Sequence, residues 1–85
     1  MATKIPVSDI VQALGGKENV AQAAHCATRL RVTPRDWSKI SEDQLKAVPG
    51  VLGVVRGSTQ VQVIIGAEVN NVYKEFVELT GVDEE

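Results

Sequence analysis

The chain has 85 residues, of which 44% are hydrophobic and only 4% aromatic, so its small core must be built from aliphatic side chains. A net charge of −2 at pH 7 argues against a nucleic-acid binder, which normally carries a basic excess. One cysteine excludes an internal disulfide, and one histidine beside it cannot assemble a zinc site, so we expect no metal. No apolar run approaches the roughly 20 residues of a membrane helix, and residues 1–9 lack the apolar core of a signal peptide.

The chain begins with a predicted short helix. Ser8 is a candidate N-cap, apolar residues follow at helical spacing, and Gly15 and Gly16 supply a stop, which predicts a helix over 8–14. Residues 19–25 are interpreted as a strand, although their alanines equally favour a helix.

Polar and apolar residues alternate from Arg29 to Thr33. A period of two predicts a strand with Leu30 and Val32 facing inward and both arginines outward. Residues 26–28 then connect two strands.

The second half of the chain predicts a helix followed by a hairpin. Ser41 and Gln44 have the spacing of a capping box at a helix start. Residues 51–56 and 59–65 predict two strands, joined by a tight turn at Gly57-Ser58.

The longest predicted helix covers residues 67–80, with Gly81 as its stop and 81–85 as a frayed tail. The order αββαββα predicts an α+β fold, in which one antiparallel sheet is covered by helices on one face. We expect a single domain over 1–85, ordered from about residue 7 to residue 80.

One stretch carries most of the reactive groups. CATRLR (26–31) places the only cysteine beside a threonine and two arginines. Cysteine reacts as the thiolate, which neighbouring cations favour. Two guanidinium groups, a hydroxyl and a loop of backbone N–H groups can bind a dianionic phosphate. The stretch is therefore suited to accept and pass on a phosphoryl group.

The residues alone leave other interpretations open. A lone cysteine is most often a small buried hydrophobe, and alternating arginines are usually a solvated strand face. His25 is interpreted as a neutral neighbour of the thiol, and Gln62 alone would be a solvent-facing polar residue. A redox-sensing thiol would use the same cysteine, although the chain holds no second cysteine to resolve it.

Several blocks in the right order resemble the enzyme IIB domain of the phosphoenolpyruvate-dependent sugar phosphotransferase system (PTS), in its glucose/sucrose/β-glucoside superfamily. HCATRLRV (25–32) is similar to the phosphorylation-site motif of that family. DQLKAVPGVLGVV (43–55), GSTQVQVIIG (57–66) and VNNVYKEF (69–76) follow, so the resemblance covers nearly the whole chain. Ala24 stands where some members carry an acidic residue.

The resemblance implies a four-stranded antiparallel sheet with three helices on one face. It implies that Cys26 accepts a phosphoryl group from a phosphohistidine of enzyme IIA and passes it to a sugar bound by the membrane-embedded enzyme IIC. Thr28, Arg29 and Arg31 would flank the phosphocysteine. Arg29 would contact the phosphate, and Arg31 would add to the positive electrostatic field and to the docking of the partner proteins. The backbone N–H groups of Ala27 to Arg29 would hold the phosphate, and Gln62 would lie beside it.

The resemblance implies that the chain is a phosphotransferase that needs no cofactor of its own and is a monomer in isolation. It would act in the cytoplasm, at the inner face of the membrane, where enzyme IIC holds it. The sequence does not identify the sugar. The alternative is a non-catalytic regulatory or binding module that uses the same cysteine as a phosphorylation-state or redox sensor.

Overall fold

Three helices and four strands follow one another in the predicted order. In the computed structural model of the chain, which describes residues 5–82, the helices are α1 (Val7–Ala13), α2 (Glu42–Ala47) and α3 (Val69–Thr80). The strands are β1 (Val20–His25), β2 (Arg29–Pro34), β3 (Gly53–Arg56) and β4 (Val61–Ile64). The α+β prediction is confirmed. None of the helices within the described range is long and apolar enough to cross a membrane.

The four strands form one antiparallel sheet in the order β1-β2-β4-β3. The β1–β2 and β3–β4 hairpins meet through their second strands, so β2 and β4 lie at the centre. In the register between these two strands, Arg31 lies opposite Gln62 and Arg29 lies opposite Ile64. Residues distant in sequence thus become direct neighbours on the sheet.

The alternation along β2 places its two kinds of side chain on opposite faces. Leu30 and Val32 are completely buried, as are Val61 and Val63 on β4, and they pack against the helices. Arg29 and Arg31 occupy the other face, which the helices leave uncovered. The predicted inward and outward directions on β2, and helices on one face only, are confirmed.

Asn19, directly before β1, links the segment that follows α1 to the segment that follows β2. It is the one buried polar residue in the described range, at 4% exposed. Its Nδ2 donates to the carbonyl oxygens of Leu14 at 2.7 Å and Asp36 at 2.9 Å, and its Oδ1 accepts from the Asp36 N–H at 2.8 Å. Residues 20–25, whose alanines left helix and strand open, form a strand with Ala23 against the core.

Of the two predicted N-caps, one is wrong and one is confirmed. α1 begins at Val7 with Pro6 at the N-cap, and the Pro6 carbonyl accepts from the Asp9 N–H, so the predicted Ser8 cap is wrong. The proline ring fixes φ at Pro6, here −75°, and so presets the backbone at the start of the helix. The predicted Ser41 cap of α2 is confirmed, because its hydroxyl accepts from the Gln44 N–H at 3.2 Å.

α3 begins at Val69 rather than residue 67, and Gly81 ends it in the left-handed conformation at φ 73°. Of the predicted frayed tail over 81–85, residues 83–85 lie outside the described residues. Val82 packs against the core and its N–H donates to Thr80 Oγ1 at 3.2 Å, so the prediction is wrong at that residue.

The second hairpin is shorter than its β-branched sequence suggests. β3 begins at Gly53 and β4 at Val61, and four residues join Arg56 to Val61 instead of the predicted Gly57-Ser58 turn. The Gly57 N–H donates to the Gln60 carbonyl at 2.8 Å, which closes the wider loop and takes Thr59 and Gln60 out of the strand.

Replacing Leu30 by alanine tests the core beneath β2. Leu30 is 0% exposed, so the substitution leaves a cavity and is expected to lower the free energy of unfolding by about 3 kcal/mol. Leu52→Ala removes the same atoms from a side chain that is 73% exposed, and should change it by less than about 0.5 kcal/mol. Urea unfolding followed by circular dichroism measures both, and equal losses would contradict this account of the core.

Candidate functional site

The single cysteine lies at the tip of the first hairpin. Cys26 directly follows β1 and is half-buried, while Ala27 and Thr28 are exposed. The Cys26 N–H donates to the Arg29 carbonyl at 2.9 Å, which closes the turn. The predicted connection over 26–28, which we call the cysteine loop, is thus a tight turn that brings the sulfur to the surface at one end of the sheet.

The end of β4 holds this loop in place. The Thr28 carbonyl accepts from the N–H groups of both Ile65 and Gly66, each at 2.8 Å. Gly66 has a φ of 91°, a conformation that favours glycine over any residue with a side chain. With its carbonyl turned to β4, Thr28 is free to direct its own N–H toward the sulfur.

Backbone donors and one arginine stabilise the thiolate. The Thr28 N–H contributes most to lowering the pKa of the Cys26 thiol below its ordinary value. The Arg29 N–H, then the charge of Arg31 and a hydrogen bond from its guanidinium, lower the pKa further against the opposing effect of burial. A larger fraction of the sulfur is therefore thiolate near neutral pH than in an unassisted cysteine.

The two arginines differ in what they contact. Arg31 reaches the sulfur, whereas Arg29 Nη1 donates to Oε1 of Gln62 at 2.7 Å. Arg31 Nε is buried and has no hydrogen-bond partner among residues 5–82. The structure thus brings together Cys26, Gln62 and both arginines.

The uncovered sheet face has an uneven distribution of charge. None of the four strands contains Asp or Glu, while β2 contributes Arg29 and Arg31 near the sulfur. The carboxylates of the described residues lie on helices and turns. Within this part of the chain, no three His, Cys, Asp or Glu side chains are grouped closely enough to hold a metal ion.

His25 lies on the other side of the sheet from the arginines. It pairs with Leu30 in the β1–β2 register, and its ring stacks on Tyr73 of α3 with centroids 4.2 Å apart. Its neighbour in sequence is the thiol, but its ring belongs to the helix-facing side and supports the base of the loop.

Two features of the site were not predicted from the sequence. One is the anchoring of Thr28 by Ile65 and Gly66, for which the glycine after β4 was the available signal. The other is an apolar rim at Leu52, whose side chain is 73% exposed. Leu52 Cδ1 lies 3.6 Å from the point where a side chain on Gly66 would begin, so the rim adjoins the cysteine loop.

The family described as "phosphotransferase system, EIIB" matches this chain over residues 8–40, which include the cysteine loop. The crystal structure of one domain of the PTS system IIabc component from Clostridium difficile has a TM-score of 0.83 to this structure and 36% sequence identity. That similarity covers 93% of this chain and 82% of the other. The chain belongs to the EIIB family.

EIIB relatives extend the similarity to longer proteins. The "PTS system beta-glucoside-specific EIIBCA component" of Halalkalibacterium halodurans is 47% identical over 73 residues. The "PTS system arbutin-, cellobiose-, and salicin-specific EIIBC component" of Escherichia coli is 47% identical over 70 residues, and the "PTS system glucose-specific EIIBCA component" of Corynebacterium glutamicum is 41% identical over 85. The alignments cover 86%, 82% and 96% of this chain but only 12%, 14% and 13% of those proteins.

The reactivity of the thiol provides a direct test of this site. Because the pKa of Cys26 is lowered, its thiolate forms at lower pH, and iodoacetamide alkylation should rise with pH earlier than for a free cysteine. Arg31→Met removes the favourable charge but keeps the backbone donors, so it should move the profile to higher pH without restoring ordinary behaviour. Arg35→Met, a change at an exposed arginine directly after β2, is the matched control. A profile that Arg31→Met leaves in place would contradict the assignment of Arg31.

Proposed function

We propose that this chain is a phosphoryl carrier in sugar uptake, with Cys26 as its covalent intermediate. The sulfur accepts a phosphoryl group from a phosphohistidine of enzyme IIA and passes it to a sugar bound by enzyme IIC. The observation that carries the proposal is the Cys26 sulfur at the hairpin tip, where the Thr28 and Arg29 N–H groups and Arg31 lower the pKa of the thiol. We propose that residues 1–85 act as a single EIIB domain.

Two displacements at phosphorus make up the transfer. In the first, a lone pair of the Cys26 thiolate forms the S–P bond while the electrons of the N–P bond return to the imidazole nitrogen of the donor. In the second, a sugar hydroxyl oxygen attacks phosphorus, the S–P bond breaks and the thiolate is regenerated. The hydroxyl proton passes to a base on the acceptor side. Neither step consumes a cofactor.

The groups around the sulfur suit the charge that these steps carry. The N–H donors of Thr28 and Arg29 and the guanidinium of Arg31 already face a negative sulfur, and a phosphoryl group there presents more negative oxygen atoms. Arg31 Nε is a buried donor with no partner within 5–82, and a phosphoryl oxygen is the kind of acceptor that would satisfy it. Thr28 and Ala27 leave the tip exposed, as exchange between protein partners requires.

The proposed partners fit the surface around the sulfur. The uncovered sheet face, which carries Arg29 and Arg31, attracts the negative charge of a phosphohistidine. The apolar rim beside the cysteine loop offers contact area to the protein that carries that phosphohistidine. With enzyme IIC as acceptor, the domain would work at the cytoplasmic face of the membrane. EIIB relatives named for β-glucosides and for glucose align to this chain at 47% and 41% identity, which supports selection of the sugar outside the region they share.

Phosphoryl labelling tests the carrier function directly. The chain is incubated with phosphoenolpyruvate, enzyme I, the phosphocarrier protein HPr and a glucose-type enzyme IIA, and intact mass is recorded. We expect one added phosphate on Cys26 that depends on enzyme IIA, and none on a folded Cys26→Ser variant, because a serine hydroxyl stays protonated near neutral pH. Labelling of the serine variant at the parental rate would refute the nucleophile. A folded parent that takes no label from several enzyme IIA proteins would favour a regulatory module.

Leu52 tests the docking part of the proposal. Leu52→Asp places a charge in the rim and should slow phosphoryl acceptance from enzyme IIA by roughly tenfold, since it disrupts an apolar contact and repels the donor phosphate. Leu79→Asp makes the same change at a 45% exposed leucine on α3, on the helical side, and should leave the rate unchanged. Rapid-quench labelling measures both rates. Equal slowing of the two variants would show that the rim has no particular role.

A further inference from the structure

The two arginines of β2 are chemically identical, yet the side chain of only one of them acts on the sulfur. The charge and guanidinium of Arg31 lower the pKa of Cys26, whereas Arg29 contributes there through its backbone N–H. The Arg29 side chain is instead bonded to Gln62 Oε1 at 2.7 Å.

The β2–β4 register explains how one amide separates the two cations. Gln62 lies directly opposite Arg31, and Arg29 lies opposite Ile64, so Arg29 reaches Gln62 along the diagonal. Diagonal neighbours on a sheet are within reach of long side chains. The hydrogen bond holds the Arg29 guanidinium over β4.

We propose that Gln62 is a positioning residue that keeps the Arg29 guanidinium off the thiolate and in reserve for the arriving phosphoryl group. The inference rests on the proposed phosphoryl transfer, whose second cation it assigns. Before phosphorylation, the Arg31 guanidinium contacts the sulfur and the Arg29 guanidinium remains hydrogen-bonded to Gln62. Arg29 moves to the phosphate when three new oxygen atoms compete for it.

Nucleophilicity gives a reason for holding the second cation back. A thiolate stabilised further by a second guanidinium is present in larger amount, but each thiolate attacks more slowly as its pKa falls. A guanidinium bonded to the sulfur also occupies the approach path of the phosphorus. Separation of the two arginines avoids both effects.

The neutral amide is suited to a reversible hold. A carboxylate at residue 62 would bind Arg29 by a charge-assisted bond and would repel the phosphoryl group. A glutamine accepts from Arg29 through Oε1 and still has two N–H donors to offer to a phosphate oxygen. This agrees with strands that contain no Asp or Glu.

The experiment compares the parent with Gln62→Met, Arg29→Met and the double variant. Cys26 is the only thiol, so the pH profile of iodoacetamide alkylation reports its pKa without ambiguity. Gln62→Met releases Arg29, so the profile should move to lower pH and alkylation at pH 7 should become about threefold faster. Arg29→Met alone should leave the profile near that of the parent, and the double variant should match Arg29→Met. Val55→Met places the same side chain opposite Gln62 on β3, where the profile should not move.

A shift in Gln62→Met that persists without the Arg29 side chain, or no shift in a folded Gln62→Met, would overturn the proposal. If methionine at residue 62 prevents folding, Gln62→Asn keeps the amide but shortens its reach, and the same shift is expected. Rapid-quench labelling of Gln62→Met should also show slower phosphoryl acceptance despite the greater amount of thiolate. The alkylation profile needs no phosphoryl donor, so a failure of labelling in the parent would refute the carrier function separately from the coupling of Gln62 to Arg29.

Discussion

The antiparallel pairing of β2 with β4 is the constraint on which the rest of the structure depends. Each hairpin alone would bring together only residues that are near in sequence. Joining their second strands places Arg31 opposite Gln62 and positions the Thr28 carbonyl to accept from the two N–H groups after β4. The same pairing sets Leu30 and Val63 side by side against the helices. Core and site are therefore fixed by one register, because a slip of one residue would exchange the buried and uncovered faces.

The cysteine loop shows how a short hairpin can make a reactive thiol from ordinary backbone. Its closure by Cys26 and Arg29 and its attachment to β4 through Thr28 satisfy the polar groups that a tight turn would leave unpaired. The N–H groups of Thr28 and Arg29 point to the sulfur, and they lower the pKa of the thiol more than the side chain of Arg31 does. Under the function that we propose, the two arginines are then divided between the thiolate and the incoming phosphate.

Sequence patterns were sufficient wherever local spacing decided the structure. The alternation at Leu30 and Val32 identified the inward face, and Ser41 identified a helix start. They failed where contacts from elsewhere decided: the Pro6 carbonyl replaced the expected Ser8 cap, and the loop closed by Gly57 and Gln60 shortened β4. The motif at 26–31 predicted the chemistry that we propose, but the bond of Arg29 to Gln62 depends on a strand pairing that spacing within either segment does not encode.

The segregation of charge between the two sides of the sheet has a consequence for the kinetics of encounter. The whole chain has a net charge of −2, so an anionic protein at long range meets weak repulsion, while the uncovered face that carries Arg29 and Arg31 attracts it at short range. A collision in the wrong orientation is therefore electrostatically disfavoured relative to one at the cysteine loop. Because salt screens such fields over about 10 Å at 0.1 M, ionic strength would change the rate of productive collision more than the lifetime of the complex.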